Sequence, residues 1–227
     1  MKTFSNEEIN KIYNEKVKKS PEYFNKNLET NCPSPKWNFS WKGKDPPRCF
    51  CIRDFKEWLE KYDIKKCKSL GYTCDDDPEL DFIEAEKKFL YLYNETNFDK
   101  NHDLHTFVAE EKHDFFIFNQ TLEHVYNPQL VIQNIGKNML KGGYVFTSVP
   151  TVNIPHQTPF NFYNHYPMGL AMLFASNDFE IIQTGQWGNL NYIKYIFKNF
   201  GWPDVYQTGQ NNEENNVAQC WILAKKL

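Results

Sequence analysis

The sequence predicts an open, doubly wound and mostly parallel α/β sheet, and three observations carry that reading. Short β-prone apolar runs, FLYLY at 89–93, FFIF at 115–118 and YVFTSV at 144–149, are each bounded by polar or glycine-containing turns. Between the last two, Leu130, Val131, Ile132, Ile135 and Leu140 form an apolar face of helical period that ends at Gly142 and Gly143, which makes a strand, helix, strand unit. The chain has 227 residues, 41% of them hydrophobic and 17% aromatic, enough to bury one substantial core. Strands that alternate with helices are the pattern of a sheet covered on both faces.

Taken in order, residues 6–18 place Ile9, Ile12, Tyr13 and Val17 at helical spacing behind Ser5, which reads as a capped, peripheral helix. From 31 to 48 the chain is rich in Pro, Trp and Gly without period, an irregular bridge in which Trp37 and Trp41 pack onto the rest. Residues 1–50 therefore form an N-terminal extension, expected to cover the acceptor side of the cleft, and 51–227 the main domain. Phe55, Trp58 and Leu59 predict a helix over 53–62 and β-prone residues a strand over 66–70. The closing part predicts a helix over 168–175 and strands over 179–184 and 217–224.

Composition excludes several classes. A formal net charge of -3 gives no overall electrostatic footprint for a phosphate backbone, so nucleic acid is not the expected partner. No apolar run reaches the roughly 20 residues that span a bilayer, and the N-terminus lacks the apolar stretch of a secretory signal. The six cysteines, at 32, 49, 51, 67, 74 and 220, show no paired CxxC spacing and read as free thiols in a reducing, cytoplasmic compartment. Cys49 and Cys51 read as alternate positions on a strand, and Asp75, Asp76 and Asp77 as a solvated loop, so no metal is expected.

The run at 113–150, HDFFIFNQTLEHVYNPQLVIQNIGKNMLKGGYVFTSVP, carries the most information. An acidic residue enters a buried strand whose polar end, Asn119 and Gln120, is followed by a helix, a glycine turn and a further strand. Ligands of open α/β sheets collect at the carboxyl ends of strands, so Asn119, Gln120 and Glu123 are expected to face the cleft. Through Asp114, the LEHV at 122–125 and the LKGG at 140–143, the run resembles the fourth and fifth strands of class I S-adenosylmethionine-dependent methyltransferases. That resemblance implies a seven-stranded Rossmann-like sheet and S-adenosyl-L-methionine as cofactor. It assigns cofactor binding to Gly71 in the turn after the first strand, to Asn94 or Glu95 for the ribose hydroxyls, to Asp103 and Leu104 beside the adenine, and to Asn119 and Gln120. Gly71 is the only glycine where the family carries a GxGxG.

The stretch at 149–188 resembles methyltransferases encoded among sugar and glycan biosynthesis genes, through His156, Pro159, Phe162, Tyr163, Tyr166, Gly169 and Leu170. Asn164 and His165 stand where many relatives carry an arginine. Aromatic side chains interspersed with hydrogen-bonding groups suit a sugar ring, so Glu123, His156, Tyr163 and His165 are the expected acceptor contacts. An acceptor hydroxyl must lose a proton, and histidine titrates in the right range, which makes His156 the first and His124 the second candidate base. The expectation is an O-methyltransferase acting on a sugar, a glycan or another small-molecule acceptor. The alternative is a non-catalytic binding module with the same fold, which the degenerate glycine turn favours. A nicotinamide-dependent oxidoreductase is disfavoured, because a dinucleotide pyrophosphate needs a glycine-rich turn at a helix N-terminus.

Overall fold

The computed structural model describes residues 2–26, 46–92, 103–156 and 160–227. In chain order the helices are α1 (Asn6–Ile12, continued by a π turn Tyr13–Val17), α2 (Pro21–Phe24), α3 (Pro46–Lys61), α4 (Pro128–Lys137), α5 (Pro167–Ala175), α6 (Leu190–Asn199) and α7 (Val205–Thr208). The strands are β1 (Lys66–Tyr72), β2 (Glu84–Leu90), β3 (His113–Ile117), β4 (Met139–Pro150), β5 (Phe179–Trp187) and β6 (Gln219–Lys226). They form one mixed sheet in the order β2-β1-β3-β4-β6-β5. The first four strands pair in parallel, and β6 runs antiparallel between β4 and β5. No helix among the described residues is long and apolar enough to cross a membrane.

The α/β architecture and its parallel half match the expectation, but the strand count does not. Six strands are present among the described residues where the resemblance implies seven. Between β2 and β3, the described segment 103–112 forms turns and irregular chain. Its backbone is satisfied from the side, because Asn134 Nδ2 donates to the carbonyls of Leu104 (3.1 Å) and Phe107 (3.0 Å) and Asn138 Oδ1 accepts from the amide of Ala109 (2.9 Å). Those three groups are therefore taken up by α4 and its cap.

Period-two alternation along β3 builds the two halves of the core. Phe116 and Phe118 pack with Val131, Ile132 and Ile135 of α4 and Leu170 and Phe174 of α5. Phe115 and Ile117 point the other way, into Phe50, Phe55 and Leu59 of α3 together with Trp187 and Trp221. Helix α3 begins earlier than the predicted 53 and carries Cys49 and Cys51 as buried helical residues, which corrects their placement on a strand. The strand read at 89–93 is shifted to Glu84–Leu90, and Tyr93 lies outside the described residues. The helix expected to reach Gly142 stops at Lys137, capped by Asn138, and Gly142 instead takes a φ of 85° inside β4, close to the register shift between β3 and β4.

The N-terminal segment lies along β5, an edge strand. Lys19 Nζ donates to the Thr184 carbonyl and side chain, and Thr184 Oγ1 donates to the Lys16 carbonyl at 2.7 Å. Tyr23 accepts from the Gln186 amide (3.0 Å) and donates to the buried carboxylate of Asp54 (2.8 Å), which also takes the indole N–H of Trp221 (3.1 Å). Trp37 and Trp41 lie outside the described residues.

Candidate functional site

From β1 the chain crosses to β2 on one side, then returns to β3 on the other, so the strand order reverses between β1 and β3. Ligands of open α/β sheets bind at such a switch point, beyond the carboxyl ends of the strands. A cavity of about 310 Å³ opens there. Its charged wall comes from Arg48 at the start of α3 and from Cys74, Asp76 and Asp77 after β1. Its other wall comes from Gln120 after β3, Asn153 and His156 after β4, and Tyr192, Trp202 and Gln219 from the C-terminal part of the chain.

Behind the charged wall lies a buried ionic network. Arg48 Nη2 donates to Glu79 (2.9 Å) and Asp77 (3.4 Å), while Nη1 donates to Ser148 Oγ (3.0 Å). Asn119 Nδ2 donates to the second oxygen of Asp77 (3.3 Å), and Asn119 Oδ1 accepts the Ser148 amide (2.9 Å). Burial disfavours the guanidinium charge, but the neighbouring carboxylates, Glu79 foremost, more than offset this and hold Arg48 above its ordinary pKa. Burial, followed by repulsion from Glu79, lifts the Asp77 carboxyl to about 7. Gln120 occupies the left-handed region at φ 49°, rare for a residue with a Cβ, and its Nε2 also binds Ser148 Oγ at 3.1 Å.

A second group adjoins the cavity through His156. The Glu123 carboxylate is fully buried, with no hydrogen-bond partner on either oxygen, and burial lifts it to about 8. His124 Nε2 lies 3.8 Å from it, and the rings of His124 and His156 meet edge to face at 4.9 Å. His124 Nδ1 bonds the Phe160 carbonyl (2.9 Å) and His156 Nδ1 the Ile154 carbonyl (3.1 Å). A carbonyl only accepts, so each Nδ1 carries a hydrogen, and in the neutral ring Nε2 is the nitrogen that keeps a lone pair. Burial holds His124 below its ordinary pKa, so it is neutral at pH 7.

The structure brings Gln120, Glu123, His124 and His156 together and sets Asn119 behind them as a strut. It separates others. Gly71 lies within β1, where a Cβ would stand 2.4 Å from the Phe116 ring, so the residue makes room for core packing and the following turn, 73–77, has no glycine. Leu104 is buried in the core, and Asp103 Oδ1 takes the His105 amide (2.9 Å) and Nδ1 (2.6 Å). Tyr163 donates to the Tyr126 carbonyl at 3.2 Å, and His165 lines a different hollow with Lys2, Phe4 and Gln129. Asn94, Glu95 and Pro159 lie outside the described residues. Asp77 corrects the reading of 75–77 as a solvated loop, since it is buried against Arg48. Arg48, Glu79, Asn153 and Trp202 were not expected: they come from segments without period, and only the fold unites them.

No family model matches this sequence, and no curated protein matches it. Among solved structures, the chain is similar to TehB from Haemophilus influenzae, at 14% identity over 77% of this chain and 62% of that one, with a TM-score of 0.48. This chain thus spans less than two thirds of TehB. It is also similar to an S-adenosylmethionine-dependent methyltransferase from Clostridium acetobutylicum, at 7% identity over 76% of this chain and 89% of that one, with a TM-score of 0.49. A third likeness is to an S-adenosylmethionine-dependent methyltransferase from Mesorhizobium loti, at 9% identity over 75% and 98%, with a TM-score of 0.49. The architecture rests on the strand order and pairing of this chain itself.

Proposed function

We propose that the chain is an S-adenosylmethionine-dependent O-methyltransferase that modifies a hydroxyl of a sugar or glycan. The observation that carries this reading is the two-sided cleft at the switch point, with a cation and carboxylates on one wall and an aromatic and amide surface on the other. The donor set fits the cofactor: Arg48 and Asp77 match the carboxylate and ammonium of its amino-acid end, and Gln120 lies beside them. When bound, S-adenosylmethionine supplies an electrophilic methyl on a positively charged sulfur. The run that resembles the methyltransferases folds as β3, α4 and β4, and its Gln120 lines this cleft.

The protein's own part is to position and deprotonate. Trp202, fixed by its indole N–H to Asn153 Oδ1 (3.2 Å), offers a face for the apolar side of a sugar ring, with Asn153 and Gln219 at hand for hydroxyls. In its neutral form His156 receives the acceptor proton at Nε2, its tautomer held by the Ile154 carbonyl. Positioning of the acceptor in line with the methyl supplies much of the remaining rate.

Calorimetric titration with S-adenosylmethionine and S-adenosylhomocysteine, with NAD as control, tests the reading. Micromolar binding of the first two, followed by methylation in a screen of sugar acceptors, is the expected result. No binding to a folded sample removes it. Binding without turnover on any acceptor selects the non-catalytic module, which the glycine-free turn at 73–77 favours.

A further inference from the structure

We propose that Glu123, His124 and His156 form a site for one divalent transition-metal ion, bordering the cleft. Candidate ligand atoms from the three residues all lie within 4.8 Å of one another. Ligands about 2.0–2.2 Å from a zinc-sized ion stand roughly 3–4 Å apart, so side-chain adjustments of about 1 Å close the shell.

Two independent features point to a cation. Both oxygens of the fully buried Glu123 carboxyl lack a hydrogen-bond partner, whereas the buried carboxylate of Glu79 is paired with Arg48. A bound cation takes the place of the proton on the carboxyl and gives its oxygens the partner they lack. Both imidazoles also give their Nδ1 hydrogen to a backbone carbonyl, the arrangement that fixes ring orientation and leaves Nε2 free as a metal ligand. Two neutral imidazoles with one carboxylate suit manganese, iron, cobalt or zinc, and three protein ligands leave coordination positions open.

The ligand for those positions is an oxygen donor, a hydroxyl or a vicinal pair of hydroxyls on the molecule in the cleft. A metal ion would lower the pKa of a bound hydroxyl so that its proton passes to solvent, and His156, with Nε2 as a ligand, would no longer act as the base. Only this last consequence rests on the methyl-transfer reading. The site itself does not.

The test is an electron paramagnetic resonance titration of the full chain with Mn²⁺, after dialysis against a chelator and without cofactor or acceptor. Manganese is chosen because six cysteines would capture a thiophilic ion. The expected result is one ion per chain, with affinity at least roughly 100-fold weaker in Glu123→Gln and His156→Ala. Saturation with Mn²⁺ should raise the melting temperature of the parent chain but not of Glu123→Gln, a readout that survives poor folding of a histidine variant. Absence of binding at about 1 mM, the weakest range in which bound metals are functional, overturns the proposal, as does unchanged affinity in both variants. Cofactor binding is read separately by calorimetry, so either proposal can fail without the other.

Discussion

Replacing Arg48 by methionine removes the only cation that the described structure sets against two buried carboxylates, and its cost can be estimated. The Arg48 side chain is 7% exposed, Glu79 0% and Asp77 11%, at 2.9 and 3.4 Å from the guanidinium. A buried pair broken from one side costs about 3–5 kcal/mol, mostly because a charge is left without its partner. That is a large share of the roughly 5–15 kcal/mol that holds a domain folded. Urea unfolding followed by tryptophan fluorescence should show the loss in Arg48→Met. Arg48→Met with Glu79→Gln should recover most of it, because the second change removes the stranded charge. The pH dependence has a definite sign. Burial and repulsion from Glu79 already lift the Asp77 carboxyl to about 7 against the pull of Arg48; without Arg48 it rises further, so its contribution to stability, greatest below about pH 4, falls further as pH rises toward the raised value. The deficit relative to the parent chain should therefore shrink on acidification. A single variant within about 1 kcal/mol of the parent, or a double variant showing only the sum of the single losses, would refute this account of the network.

Three further outcomes are expected. Trp202→Ala should weaken acceptor binding about tenfold, equivalent to about 1.4 kcal/mol, while calorimetric affinity for S-adenosylmethionine stays unchanged; equal loss of both would remove the sugar platform. Gly71→Ala places a Cβ 2.4 Å from the Phe116 ring, and should lower stability by about 1–3 kcal/mol or more while the folded fraction keeps its cofactor affinity. Tyr23→Phe removes a hydroxyl that bonds both Asp54 and the Gln186 amide, with an expected cost of about 1–3 kcal/mol in thermal unfolding; no change would show that the N-terminal segment is held by other contacts.

Hydrophobic period made the layers legible. The apolar runs of β3 and β4 and the face of α4 are local patterns, and the polar residues that follow β3 fall at the switch point because strand ends are fixed once strands are. Gln120 and His156 line the cleft for that reason. What the sequence hid is non-local. Arg48 meets Glu79 across 31 positions and Ser148 across 100, and no spacing rule links a Pro-rich segment to a strand end so distant. Gly71 shows a role that its sequence context does not announce, since the Phe116 ring occupies the place a Cβ would take. Among the described residues the sheet has six strands, and Asn134 of α4 and its cap Asn138 bond backbone groups of Leu104, Phe107 and Ala109, contacts between side chains and a distant backbone that no local period announces.

The placement of residues 16–23 along β5 has a consequence for how the molecule behaves among its own copies. A sheet edge with open amides and carbonyls recruits strands from other chains. At one edge of this sheet the exposed residues of β2, including Glu84, Glu86, Lys87 and Lys88, discourage that by charge. At the other edge the N-terminal segment serves as a clip, because Lys19 and Tyr23 engage the backbone of Thr184 and Gln186. A chain beginning at Pro46 would keep α3 and all six strands but lose the clip. It should then be prone to associate through β5, so the opening residues act as a guard against aggregation, separate from anything that happens in the cleft.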